Sequence, residues 1–457
     1  MSDSRQLLAR ISAFRAKLEE TPRLVPAAAV DELPTNPSNR LSTVFREALV
    51  TEPAQLTGRA FRLLSEARDL VSQQKQLADD SIIMRSDSGD ALARFHRHTI
   101  GLTDSALRLA QVFPAAAEPQ LRMCDGFEQL LRVIRGRLGV LEHAISLRRA
   151  DAGRIARIAD LLTAMHAGKA VSAGAFFDVA QLILDDARQG VRLRFAYRDP
   201  ATDGVAKFVA AHALNVGQVL ARLVPHDYEW AMKPALPIVA ALVMDAGMLE
   251  VPAELLAKTE SLTIKERRLI ERHPLRSAEL VKRSIADAEV LADIVAAHHE
   301  RLDGSGYHRG CQAEEIGSLP RMIAVADSYA ARMADRPHRA ALDPRAALTD
   351  TLLDAEAGKL DRDFAEYLMH LSFHPVGTVV ELTDGRIAVV AATHDGRANL
   401  RATMRPVVAV LVDVRGELLP RPDFVDLAST GAGSIVRALT AAERREKLAD
   451  AYPDLCV

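Results

Sequence analysis

Apolar residues recur at helical intervals through most of the chain and switch to alternation near its end. Leu7, Leu8, Ile11, Phe14 and Leu18 predict a helix over residues 4–20. Residues 21–37 are rich in proline and read as a loop or linker. Leu56, Leu63, Leu64, Leu70 and Val71 predict a helix over 53–77, and residues 81–90 interrupt the pattern. Amphipathic helices follow over 91–112, 119–134 and 138–166, and the charged, Ala-rich run 148–154 reads as a solvated helix face.

From residue 172 the helices are more apolar. They are predicted over 176–186, 205–223, 236–246, 263–273, 277–283, 288–299, 319–333, 344–357 and 361–371. The helix over 236–246 is stopped by Gly247, and Thr263 with Glu266 three residues on forms a capping box. Between the first two, Val191, Leu193, Phe195 and Tyr197 alternate, as in a short strand or an extended linker. After His374 the period becomes two. Strands are predicted over 376–382, 387–392 and 407–412, with a last one at 425–427. Asp384-Gly385, Asp395-Gly396 and Arg415-Gly416 supply turns, and a charged helix over 439–450 closes the chain. The expected fold is mainly α. A helical region over 1–170 serves sensing, dimerisation or scaffolding, an all-helical domain covers 171–373, a small antiparallel β appendage covers 374–430, and a C-terminal helix covers 431–457.

Composition narrows the function. A formal net charge of −3 offers no basic field for a nucleic-acid polymer. Cys124, Cys311 and Cys456 are scattered and odd in number, which argues against a disulfide framework and for a reducing compartment. The first 18 residues are too polar for a secretory signal, and the apolar run 236–244 is too short to span a bilayer. A cytoplasmic location is expected.

The candidate chemistry centres on His298-His299, followed at once by Asp303-Gly304 and Gly306. Neighbouring residues on a helix point about 100° apart, so two consecutive imidazoles converge most easily at a helix end. Asp245 and Asp327 each lie within apolar helix sequence, where a carboxylate is costly unless paired or metal-bound. With His212, His273, His298 and His299 at other helix positions, a shared metal cluster accounts for the set. His96, His98, His143 and His166 show no such arrangement.

The stretch from His298 to His308, with His299, Gly304, Gly306 and Tyr307 between, closely resembles the signature of HD-GYP domains, a branch of the HD phosphohydrolase superfamily. His212 to Val216, the block from Leu242 to Pro252, Ala324 to Asp327 and Asp335 to Arg339 are similar to that family too, so the resemblance covers residues 206–373. Pro375 to Leu382 resembles a tail often seen after such domains. The resemblance implies hydrolysis of cyclic di-GMP to pGpG or GMP at two divalent ions, commonly iron or manganese. His212, Asp245 and Asp327 would hold one ion and His273, His298 and His299 the other, with Asp245 bridging. Asp245 and His273 would act in catalysis. Arg336 and Arg339 would contact phosphate, and Gly304, Gly306 and Tyr307 would shape the substrate rim.

The chain departs from the family pattern where the His-Asp pair reads Met244-Asp245, where Gly-Lys reads Gly247-Met248, and where Gly-Tyr-Pro reads Gly306-Tyr307-His308. A thioether is a soft, weak ligand beside imidazole, which puts occupancy of one ion site in question. Phe208, one turn before His212, offers no ligand for a third ion. Two functions of different classes follow. One is a cyclic di-GMP phosphodiesterase with a depleted site. The other is an inactive module that binds cyclic di-GMP or a partner such as a GGDEF-type diguanylate cyclase. A homodimer through the N-terminal helices is also expected.

Overall fold

The computed structural model describes residues 56–78, 91–111, 113–114, 116–337, 339–371, 374, 376–394, 405–429, 431–448, 452 and 455. The helix expected over 4–20, the loop at 21–37 and the interruption at 81–90 lie outside them. One compact unit comprises residues 150–374; a second takes its described residues from the segments on either side.

In the flanking unit, α1 (Gly58–Ala78), α2 (Ala91–Gln111) and the first part of α3 (Ala117–His166) share a core of Leu63, Leu70, Leu102, Phe127, Leu131 and Leu141. The two helices expected over 119–134 and 138–166 are one helix of 50 residues. Gly136 and Gly139 do not break it. Each glycine costs about 1 kcal/mol against alanine. Between and beyond them Leu138 and Leu141 are fully buried and continue the stripe begun by Leu131 and Ile134, and this packing outweighs the cost.

The same unit carries a five-stranded antiparallel sheet, β1 (Val379–Leu382), β2 (Ile387–Ala392), β3 (Val407–Val412), β4 (Leu418–Asp426) and β5 (Ile435–Ala438), in the order β4-β3-β2-β1-β5. Every residue of β2 and β3 is buried, because both faces of the sheet are covered. β4 is longer than the 425–427 segment expected, and β5 was not anticipated: it is an edge strand with exposed Val436 and no apolar alternation to announce it. Thr440 and Glu443 cap the last helix, α13 (Ala441–Leu448).

The unit of residues 150–374 is all-helical: α4 (Ala173–Arg188), α5 (Val205–Leu223), α6 (Ala235–Val243), α7 (Ile264–Ile270), α8 (His273–Ser284), α9 (Glu289–Ala296), α10 (Ser318–Met333), α11 (Pro344–Glu356) and α12 (Arg362–Tyr367). Its centre is α5, nearly all of it buried, with α4, α6 and α10 packed around it. Residues 191–199 form no strand; they run extended beside α5. Two amides of α5 take the place of a neighbouring strand. Asn215 accepts from Ala196 N and donates to Ala196 O, both at 2.8 Å, and Gln218 donates to Arg194 O at 3.0 Å. The 148–154 run is not wholly solvated as expected. Asp151 is buried and receives a bidentate pair of hydrogen bonds from Arg194 at 2.7 and 2.9 Å, while Arg154 reaches Asp186 at 2.6 Å. Four alternating charges thus satisfy one another where single ones would be costly.

Asn215→Ala leaves both Ala196 backbone groups without their partner. Urea unfolding of the full chain should show a loss of about 1–3 kcal/mol; an unchanged midpoint would mean that the extended segment does not depend on α5.

Candidate metal centre

Asp245 follows α6 and opens a single 3-10 turn, Ala246–Glu250. That turn is pressed against the start of α8. A Cβ on Gly247 would lie 2.5 Å from His273 O and 2.8 Å from Ser277 N, so only glycine permits the approach. Gly247 N also donates to the buried Ser277 Oγ at 2.8 Å. The close contact carries Asp245 to His273, whose Nε2 lies 3.0 Å from Asp245 Oδ1. His273 opens α8 and does not close the charged helix before it, as the sequence suggested. The capping box of Thr263 and Glu266 starts α7, which ends at Ile270, and Pro274 favours a fresh helix start.

His298 and His299 lie just past the C-cap of α9, Ala297, where the chain turns, in keeping with the expectation of a helix end. His273 Nδ1 donates to Ile270 O at 2.8 Å and His298 Nδ1 to Val295 O at 2.5 Å. Each carbonyl fixes its ring so that the lone pair on Nε2 faces inward. The two Nε2 atoms are 3.2 Å apart, and His298 Nε2 is 3.6 Å from Asp245 Oδ1. Facing lone pairs repel unless a cation draws both. Asp245, His273, His298 and His299 each offer one ligand atom within 4.8 Å of the others. Three imidazoles and a carboxylate, all but His299 buried, fit one divalent transition-metal ion.

The remaining two expected ligands, His212 on α5 and Asp327 on α10, meet each other. His212 Nε2 is 2.7 Å from Asp327 Oδ1 and 3.8 Å from Asp245 Oδ2. Arg336 Nη2 donates to His212 Nδ1 at 3.3 Å. Met244 is fully buried among the apolar side chains of the core and does not line the cavity, whereas Met248 does. Arg339 is turned to structural use: it donates to the carbonyls of Arg332, Ala331 and Ala340 at the end of α10, and its backbone pairs with that of Arg336.

Tyr307 lies over His299, ring centroids 4.8 Å apart and tilted 33°. Gly304 has φ of 76°, and a Cβ on Gly306 would collide with the backbone of Glu300 and Arg301. These glycines let the loop fold back rather than line the cavity. Glu300 is a functional residue that the sequence reading missed. It is buried, and its carboxylate accepts from Arg309 N at 2.8 Å and Cys311 N at 3.0 Å, tying the loop to the histidine turn. Its place next to His299 was the available signal.

Burial by itself would raise the Asp245 carboxyl, but the close imidazoles of His273, His298 and His212 act against it and hold it well below the usual range. Asp327 is likewise lowered against burial, chiefly by His212. Burial, then the neighbouring His298 and His273, pushes His299 well below its ordinary value, so its nitrogen is free to ligate. Burial raises the Tyr307 phenol, helped by Asp327 and Asp245, and keeps it a donor. Burial lowers Arg336, and the charges of Asp327 and Asp245 act against that.

All of these groups except His298 line a cavity of about 190 Å³ whose other walls are Phe208, Val209, Met248, Ile270 and Ala331. Residues 207–364 match the family model of the HD domain. The helical module is an HD-type phosphohydrolase domain. Residues 379–447 match the KOW domain associated with HD domain, so the small sheet is the β-rich partner found in HD-GYP and related architectures. The chain is 32% identical over 193 residues to Cyclic di-GMP phosphodiesterase PA4108 of Pseudomonas aeruginosa, covering 42% of this chain and 45% of that protein. It is 27% identical over 161 residues to Cyclic di-GMP phosphodiesterase PdeB of Borreliella burgdorferi, covering 35% and 42%. It is 33% identical over 145 residues to 3'3'-cGAMP-specific phosphodiesterase 3 of Vibrio cholerae, covering 32% and 30%. The chain thus spans less than half the length of these relatives. No helix among the described residues is long and apolar enough to cross a membrane.

Gly247→Ala tests the close approach that builds the HD centre. It should displace Asp245 from His273 and weaken Mn²⁺ binding at least about tenfold, about 1.4 kcal/mol, in calorimetric titration of the folded chain. Unaltered affinity would show that the contact does not set the ligand geometry.

Proposed function

We propose that this chain is a metal-dependent phosphodiesterase that hydrolyses a cyclic dinucleotide, cyclic di-GMP foremost, to pGpG or GMP. The observation that carries the reading is the Asp245, His273, His298 and His299 cluster, three members of which, Asp245, His273 and His299, line a cavity together with Arg336. The likeness of the HD domain to phosphodiesterases of cyclic di-GMP and 3'3'-cGAMP supports the substrate class.

A divalent ion at that cluster, iron or manganese, would supply an activated water at neutral pH and neutralise phosphoryl charge. The chain's own groups do the rest. His273 and His298 are held by their carbonyl acceptors, so the donor set is formed before substrate arrives. Arg336 offers guanidinium hydrogens to an anionic phosphate. Tyr307 stays protonated and donates from the rim. Phe208, Val209 and Ile270 exclude bulk water from the reacting group. The cavity is smaller than the roughly 300 Å³ at the lower end of sites that enclose drug-sized ligands. A cavity of that size takes in one phosphodiester and leaves the flanking nucleosides outside it. Attack by water on phosphorus breaks one ester bond, the ring opens, and the leaving ribose oxygen takes a proton.

A second reading, a receptor without turnover, is favoured by Met248, which presents an uncharged side chain to the cavity where the resemblance places a lysine. Anaerobic incubation of the full chain with Fe²⁺ or Mn²⁺ and cyclic di-GMP separates the two. The expected result is pGpG or GMP, none with chelator, and a loss of about a hundredfold or more in metal affinity and turnover for Asp245→Ala. Saturable binding without product would establish the receptor reading, and metal content unchanged by Asp245→Ala would refute the ligand assignment.

A further inference from the structure

The second pair of expected metal ligands does not fit a second ion. Arg336 is the reason. A guanidinium can only donate hydrogen bonds, so His212 Nδ1, 3.3 Å from Arg336 Nη2, must accept. The ring hydrogen is then on Nε2 and points to Asp327 Oδ1, 2.7 Å away. In that tautomer His212 has no lone pair left for a metal: one nitrogen receives Arg336 and the other donates to Asp327. Asp327 in turn spends one carboxylate oxygen on His212. The residue before Asp245 is a methionine buried in the core rather than a further nitrogen donor.

We propose that this HD domain binds one divalent ion per chain, and that Arg336 supplies the positive charge on the side of His212 and Asp327 where a second ion would lie. Its neighbours suit that role. Arg336 lines the cavity with both carboxylates, its guanidinium lies 5.7 Å from the centre of the Phe208 ring, and its backbone is clamped to Arg339 in a two-residue bridge. One divalent ion and one guanidinium against two carboxylates leave a single net positive charge facing an anionic phosphodiester. Arg336 is thus a permanent counter-charge that no chelator removes. The inference rests on the proposed metal-dependent reading and adds the number of ions to it.

The test is Mn²⁺ stoichiometry and electron paramagnetic resonance on the full chain after anaerobic loading and desalting. The wild type should retain one Mn²⁺ with an uncoupled six-line spectrum. Arg336→Met should retain the first ion, which also reports intact folding, and take up a second with exchange-coupled lines; Arg336→Gln is the alternative if the methionine variant does not fold. Arg336→Lys, which keeps the charge, should stay at one. Two ions in the wild type would overturn this proposal while leaving the metal-dependent reading intact. No ion at all would overturn both. A second ion that neither neutral variant can take up would show that Arg336 does not hold that place.

Discussion

A buried carboxylate has to be compensated, and Asp245 imposes that requirement on the rest of the site. It leaves the end of α6 with 8% of its surface exposed and meets imidazoles carried by α8 and by the turn after α9. The meeting depends on a backbone contact that only Gly247 allows and on a hydrogen bond to the Ser277 hydroxyl. Two main-chain carbonyls then set the inward nitrogens of His273 and His298. Ligand, orienting acceptor and close helix approach are consequences of one another. None of them is meaningful alone.

The two sides of the cavity have been built differently. On one, the imidazole–carboxylate cluster has the donor atoms and the orienting bonds that a metal needs. On the other, Arg336, His212 and Asp327 form a linear chain of two hydrogen bonds through the imidazole. Substitution of a single ligand position by Met244 need not leave a buried negative region uncompensated, because a guanidinium is already anchored there. The same economy appears in the scaffold. Asn215 and Gln218 serve an extended segment in place of a partner strand, and Asp151, Arg154, Asp186 and Arg194 neutralise one another beside it.

The helical periods, the capping box at Thr263 and the change to period two after His374 were legible because each reflects contacts within a few residues. A carboxylate inside an apolar helix and paired histidines at a glycine turn are unusual on their own terms, and the structure does gather Asp245, His273, His298 and His299 into one cluster with His212 and Asp327 on the adjoining cavity wall. What escaped the sequence depended on partners far along the chain. The continuity of α3 through Gly136 and Gly139 rests on burial of Leu138 and Leu141. β5 exists because Val380 and Leu382 offer an open edge to it, not because its own residues alternate. Glu300 gained its role when the loop folded back to bring Arg309 and Cys311 to its oxygens.

Local composition and spacing therefore picked out the polar residues set in apolar helices and the elements that carry them. Only the tertiary structure decided how they are grouped. Imidazole tautomers are set by acceptors and donors that the sequence does not place side by side, Ile270 O and Val295 O for two histidines and Arg336 for a third. A histidine that accepts from arginine and one that donates to a carbonyl are the same letter in the sequence. They differ in which ring nitrogen is left without a hydrogen, and only the neighbours in space set that difference.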